Sequence, residues 1–309
     1  MTGRVLVTGA SGFIGRRMAA ALARDGWQVV AAARDPSAIS WPIEPAVMPD
    51  LAEPADWRRL LDGITHVVHL AGIAHAPGHL ADAVYARINA EAVGELAQAA
   101  NGKVERFLLM SSVRAQAGLS SDRPLTEADA PAPTDPYGRA KLEAERLLAA
   151  SGVAFTVLRP AVVYGKGVKG NIAALATLAR TPMPLPFAGL ANRRSLLALD
   201  NLIAAVKLAL KVEEAANQTF LVADAEPISV ADLVAAMREG LGRPPHLVKV
   251  PAGAVRRLLR TVGREADFER IAGEFIVDTA KLRGIGWAPV ISTRDGIVRM
   301  MRAENGAAG

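Results

Sequence analysis

The chain contains no cysteine. A disulfide framework is therefore excluded, and a reducing, cytoplasmic setting is the expectation. Aromatic residues make up only 5%, with three tyrosines among 309 residues. No aromatic residue interleaves the basic stretch VRRLLRTVGR at 255–264. Nucleic-acid binding consequently lacks its stacking component. No apolar run approaches the roughly 18 residues of a membrane span, and MTGRVLVTGASGF shows no apolar segment ending in a cleavage site. Histidine, aspartate and glutamate nowhere fall at metal-ligand spacing, so no metal is expected. The formal charge of +5 is small for this length. The basic stretch reads as the solvated face of a helix, with an anionic-lipid or phosphate-facing helix as the alternative.

What is present is a core. Hydrophobic residues make up 51% and charged residues 22%, as in a globular α/β protein. Short apolar runs (RVLVTG at 4–9, WQVVAAA at 27–33, THVVHLAG at 65–72, VERFLLMSS at 104–112, VAFTVLRP at 153–160) alternate with helical patterns at 13–26, 80–102 and 137–152. Strands apolar on both faces and separated by helices indicate a doubly wound parallel sheet, the Rossmann arrangement. After residue 160 the rhythm shortens, and TPMPLPFAG (181–189) cannot continue a helix. Residues 1–165 are expected to form the dinucleotide-binding part, with pieces near 190–223 returning to it. Residues 166–189 and 224–309 are expected to form a smaller, partly discontinuous substrate-binding region.

TGASGFIG places Gly9, Gly12 and Gly15 between the first strand and first helix. One glycine turns the chain, one admits a phosphate to the backbone, and one lets helix and strand approach. The helix N-terminus then offers free N–H groups to a pyrophosphate. Eighteen residues beyond Gly15, where an acid would bind the ribose of NAD, stands Ala33, followed by Arg34. An arginine suits the 2′-phosphate of NADP. NADP is thus favoured, and NAD stays open because Asp35 is adjacent. Asp50 and Leu51 fall where they would flank an adenine.

TDPYGRAKLEAERLL (134–148) sets Tyr137 and Lys141 four residues apart, on one helix face. Ser112 ends a strand, on the edge where such sheets present ligands. A phenol, an ammonium and a hydroxyl in one crevice make a proton-transfer device for hydride chemistry. Tyr85 and Tyr164 have no lysine at the same spacing; Tyr164 is expected to line the crevice. His66 and His69 read as structural, His75 as a loop residue or a substrate contact, and Asp200 with Asn201 as a helix N-cap.

TGASGFIG, the DL at 50–51, HLAG, Asn89, the serine pair, YGRAK and LRPAVVYGKG together resemble the extended short-chain dehydrogenase/reductases of the NAD-dependent epimerase/dehydratase type. GVKGNI, PLPF and NRRSLLALDNL resemble the bacterial UDP-sugar 4-epimerase and 4-ketoreductase branch, which includes enzymes making UDP-N-acetylquinovosamine. The resemblance implies Tyr137 as general acid/base, Lys141 as ribose ligand and tuner of the phenol, and Ser112 as hydrogen-bond partner of the reacting oxygen. It implies Gly9, Gly12, Phe13, Ile14 and Gly15 around the pyrophosphate, and Leu70, Ala71, Gly72, Asn89 and Pro160 along the cofactor groove. Asn171, Arg194 and, more weakly, Arg270 would face the UDP diphosphate. It also implies a homodimer through a four-helix bundle of the helices at 80–101 and 137–151. Many relatives carry tyrosine where this chain has Gln116, whose amide would read a sugar group or face solvent. The implied reaction is oxidation or reduction at C4 of a UDP-sugar. Ketoreduction of a UDP-N-acetylhexosamine is favoured. 4-Epimerisation and reduction of a non-nucleotide ketone are the alternatives.

Overall fold

The computed structural model describes residues 3–40, 42–74, 80–261 and 273–306. The strands are β1 (Arg4–Thr8), β2 (Gln28–Ala33), β3 (Glu44–Val47), β4 (His66–His69), β5 (Arg106–Met110), β6 (Phe155–Pro160), β7 (Val162–Tyr164), β8 (Arg193–Arg194), β9 (Leu196–Ala198), β10 (Gln218–Val222) and β11 (Ile228–Ser229). Seven of them form one parallel sheet in the order β10-β6-β5-β4-β1-β2-β3. Chain order reverses at β1, which lies between β2 and β4. In such sheets that reversal opens a crevice at the strands' C-terminal ends.

The strands are uniformly apolar because both faces are covered. Val5 and Val7 of β1 belong to one core and Leu6 to the other. Phe107 and Leu109 of β5 point one way, Leu108 and Met110 the other. One face carries α1 (Phe13–Arg24) and α7 (Leu199–Ala209). The opposite face carries α3 (Ala92–Ala100) and α5 (Pro136–Ala150). The pattern at 80–102 predicts one unbroken helix. The structure instead has α2 (Asp82–Ala86), a π turn at Arg87–Glu91, and then α3. The π turn contains Asn89, and the reason for it lies in the crevice.

A third core holds Ile172 and Leu175 of α6 (Asn171–Ala179), Leu233 and Met237 of α8 (Val230–Gly240), and Ile297 and Met301 of the last helix, Thr293–Asn305. The basic stretch begins as a helix, Ala252–Thr261. None of the described helices is long and apolar enough to cross a membrane.

Two expectations fail at the joint between these cores. Tyr164 does not line the crevice. It is 1% exposed, and its hydroxyl lies 2.9 Å from Asp224 Oδ2 and 3.0 Å from the Thr293 carbonyl oxygen. Asp200 and Asn201 do not cap α7, whose N-cap is Ala198. Asn201 is buried; its amide donates to Asp224 Oδ1 (2.7 Å) and the Ile291 carbonyl, and its oxygen accepts from the Val290 and Ile291 amides. Burial raises the Asp224 carboxyl above its ordinary pKa, against four hydrogen bonds that favour the charged form. Tyr164→Phe removes one of these donors. It should cost about 1–3 kcal/mol, seen as a lower urea midpoint with activity per folded molecule retained.

Candidate active-site crevice

β1 runs into Gly9, whose φ of +67° lies in the left-handed region. A Cβ there would stand 2.9 Å from the Ala71 amide nitrogen. Glycine is therefore required both for the turn and for the approach of the β4 loop. Gly15 packs so closely that a Cβ would overlap the Gly9 carbonyl oxygen. Gly12 is the N-cap of α1, which has no side-chain cap and no acid in its first turn. The first-turn amides beside Phe13 and Ile14 are thus unspent and carry the positive end of the helix dipole. A dinucleotide pyrophosphate fits this cradle.

Arg34 is exposed just past β2 and has no ion pair among the described residues. Asp35 accepts from the Ser37 amide at 3.0 Å, and that bond holds its carboxyl below the ordinary value. The acid is engaged in its own turn, while the guanidinium is available. Asp50 is exposed and likewise accepts from Ala52 in its own turn, whereas Leu51 is packed into the core.

The crevice floor is held by two side chains. Thr8 Oγ accepts from the Leu70 and Ala71 amides (3.2 and 3.3 Å) and lies 3.0 Å from His69 Nδ1. One hydroxyl thus ties the β4 loop and the His69 ring to the end of β1. His69 is completely buried, and desolvation, aided by Lys141, pulls its pKa down to about 3. It stays neutral. Asn89 Oδ1 accepts from the Ile73 amide and its Nδ2 donates to the Ile73 carbonyl, both at 2.8 Å. Gly72 passes so near that a Cβ would be 2.6 Å from Asn89 Oδ1. The π turn places this amide under the loop, a use such turns often have.

The wall is made by α4 (Val113–Gln116) and α5. Ser112 caps α4 by accepting from the Arg114 amide at 3.1 Å. Asp135 caps α5 by accepting from the Gly138 amide at 2.8 Å, with Pro136 in the first turn. A Cβ on Gly138 would overlap the Arg114 carbonyl oxygen. Only glycine lets the two helix starts meet this closely, and the contact brings Ser112 to Tyr137. Lys141 Nζ donates to the Met110 carbonyl at 3.0 Å and sits 6.0 Å from the centre of the Tyr137 ring.

Burial pushes the Tyr137 phenol up to about 12, with a hydrogen bond from Ser112 and the charge of Arg114 acting the other way. Burial also draws Lys141 down to about 8, against the charge of Glu145. The expected lowering of the phenol is thus not found within the protein itself, where desolvation dominates.

Other anticipated residues have different placements. Gln116 neither faces solvent nor is free for a sugar: it is 1% exposed, its oxygen accepts from Arg159, and its Nε2 donates to the Asp129 carbonyl at 2.7 Å. The reason is the neighbouring buried arginine, which needs that acceptor. Pro160 is buried at the end of β6, and Asn171 is exposed in the first turn of α6. Arg194 is half-buried over the Phe275 ring, with its guanidinium donating to the Gly273 and Leu119 carbonyls (2.6 and 3.1 Å). Burial and Arg114 lower its pKa to about 10, and it has no carboxylate partner among the described residues. Arg193 is exposed and donates to the Pro227 carbonyl. Arg270 and His75 lie outside the described residues. Sequence reading missed three members of this wall and floor: Thr8, Arg114 and Glu145. Arg114 pairs with Asp135, and only its place two residues after Ser112 hinted at this.

Fold and crevice define a dinucleotide-binding α/β protein of the Rossmann type. Residues 5–223 match the NAD dependent epimerase/dehydratase family, and the chain belongs to that family. It is similar to the UDP-glucose 4-epimerase of Vibrio cholerae, with 30% identity over 319 residues, 97% of this chain and 94% of that protein. It is also similar to a 3-diazoavenalumate denitrifying reductase of a Streptomyces species, with 32% identity covering 96% and 99% of the two chains. Among solved structures, MoeE5 in complex with UDP-glucose and NAD superposes with a TM-score of 0.78 at 25% identity, covering 99% of this chain and all of that one.

Proposed function

We propose that this enzyme reduces or oxidises C4 of a UDP-linked sugar, acting as an NADP-dependent 4-ketoreductase on a UDP-N-acetylhexosamine. The observation that carries the reading is the meeting of Ser112, Tyr137 and Lys141 beside an uncapped glycine-turn helix. The similarity to the Vibrio epimerase and to the UDP-glucose complex of MoeE5 supports a nucleotide-sugar substrate.

The amides around Gly9, Gly12, Phe13, Ile14 and Gly15 bind the pyrophosphate. Leu70, Ala71 and Gly72, braced by Asn89, line the groove with Pro160. Asp50, exposed at the rim, flanks the adenine together with the backbone of the core-packed Leu51. The nicotinamide, when bound, supplies the hydride. Lys141 orients the adjoining ribose. Ser112 donates a hydrogen bond to the C4 oxygen, and Tyr137 gives that oxygen its proton. A phenol held near 12 is fully protonated at neutral pH, which suits a proton donor in reduction. Arg194 and Asn171 face the diphosphate. In a homodimer, the α2–α3 segment and α5 would form a four-helix bundle with their copies.

Arg34 selects the cofactor by pairing with a 2′-phosphate. Arg34→Ala should weaken NADP binding by about 10–100-fold, the worth of a charged hydrogen bond, and leave NAD binding within about threefold. Fluorescence titration with both dinucleotides measures it.

4-Epimerisation is the second reading, favoured by the Vibrio relative. The purified protein should consume NADPH with a UDP-4-keto-hexosamine and should not interconvert UDP-N-acetylglucosamine with its epimer in the absence of added coenzyme. Coenzyme-free epimerisation with tightly held NAD would replace the reductase reading. The Streptomyces reductase, named for a substrate without a nucleotide, favours the third reading, a non-nucleotide substrate. In that case Arg194→Ala would leave KM unchanged.

A further inference from the structure

The face of α5 turned toward the sheet carries a buried carboxylate. Glu145 is 7% exposed and lies four residues after Lys141. Arg159 of β6, 6% exposed, donates to it through Nε (3.0 Å to Oε1) and Nη2. Ser111, the residue before Ser112, donates its hydroxyl to Glu145 Oε1. The remaining guanidinium nitrogen of Arg159 donates to Gln116, at the end of α4. One carboxylate and one guanidinium therefore join β5, α4, α5 and β6 directly beneath Ser112, Tyr137 and Lys141.

We propose that Glu145 is a positioning residue for the reaction: held by Arg159, it anchors the Ser111–Ser112 turn against α5 and supplies the negative charge that keeps Lys141 an ammonium. This deepens the functional reading above and rests on it for the roles of Ser112 and Tyr137. A buried ion pair contributes little net stability, because desolvation offsets the attraction. Its use here is geometric and electrostatic. The groups facing Glu145 are Arg159 from β6, Ser111 just past the end of β5 and Lys141 on its own helix. Those facing Lys141 are Glu145, the neutral His69 from β4 and the Tyr137 ring. Among these, Glu145 alone carries the opposite charge. Burial draws the ammonium toward its neutral form, and Glu145 opposes that.

The test is Glu145→Gln, which keeps shape and acceptor oxygen but removes the charge. A lone buried arginine is costly, so the double variant Glu145→Gln/Arg159→Gln is made beside it and Glu145→Asp serves as the charge-keeping control. The first readout needs no substrate: NMR titration of Cε-labelled lysine, with the Lys141 resonance identified by its loss in Lys141→Met. The midpoint should fall by about one pH unit in Glu145→Gln, fall less in the double variant, where the positive charge of Arg159 is removed as well, and stay near the wild-type value in Glu145→Asp. The second readout is kinetic. In the folded glutamine variants kcat should fall at least about tenfold, the scale of a misplaced proton-transfer group, with KM within about threefold and the alkaline limb of kcat moved to lower pH. An unmoved Lys141 midpoint in Glu145→Gln, or kcat retained in a folded glutamine variant, overturns the proposal. If wild-type protein fails on every UDP-sugar while the lysine midpoint still falls, the substrate reading is lost and the charge relation between Glu145 and Lys141 stands.

Discussion

Tyr137→Phe should lower kcat by about 10²–10⁴-fold, the range carried by one positioned acid or base. The substitution removes a single oxygen. Ser112 keeps its cap on α4, and Lys141 keeps the Met110 carbonyl. The ring keeps its edge contact with Tyr85, at 6.3 Å between centres. Stability and dinucleotide affinity should therefore be unchanged, and the loss should appear in kcat with KM within about threefold. Single-turnover measurement with bound NADPH separates this from slow product release. A variant that keeps even a tenth of wild-type turnover would remove Tyr137 from proton transfer.

Gly15→Ala should do as much damage by another route. The added methyl lies inside contact distance of the Gly9 carbonyl and also meets the Ala10 Cα at 2.8 Å. Both neighbours are backbone, so neither can swing aside. Either α1 lifts from β1 or the turn opens. Overpacking of this kind costs about 1–3 kcal/mol, which lowers Tm by about 2–4 °C per kcal/mol in a domain of this scale. The larger effect should fall on the cofactor. Its cradle is made of the amides that follow Gly12, and displacing them should weaken dinucleotide binding by more than about tenfold. Calorimetry with NADPH and with ADP-ribose checks this. Equal losses for both would locate the defect at the pyrophosphate.

How much of this was legible in the residues depends on the distance over which each signal acts. The sheet was legible because its strands are short, apolar throughout and bounded by glycine or helix patterns. The helical pattern at 137–152 was legible because its start is local: Asp135 caps through Gly138, three residues away. Asn201 was misread because an Asp-Asn pair at a helix start looks like a cap, while its true partner Asp224 lies just beyond the end of β10. Gln116 and Tyr164 were misread for the same reason: each is fixed by a group brought near only by folding. Glu145 was missed because its counter-ion, Arg159, comes from the next strand. In the crevice, the sequence named Ser112, Tyr137 and Lys141 but misjudged the electrostatics, since desolvation depends on everything around a group rather than on one neighbour.

The π turn at Arg87–Glu91 has one further consequence, and it concerns length rather than residue type. A π turn takes one residue more than an α turn, so removing a single residue there would restore an unbroken α-helix and rotate what precedes it by about 100°. α3 would keep its packing against the sheet and α5, but Asn89 would swing away from Ile73. No substitution at Asn89 imitates that change, because a substitution alters the group while leaving it aimed. The brace under the cofactor loop is thus encoded partly by a residue count. A one-residue deletion within 87–91 should loosen the loop at Gly72 while the helix itself, by circular dichroism, becomes no less helical.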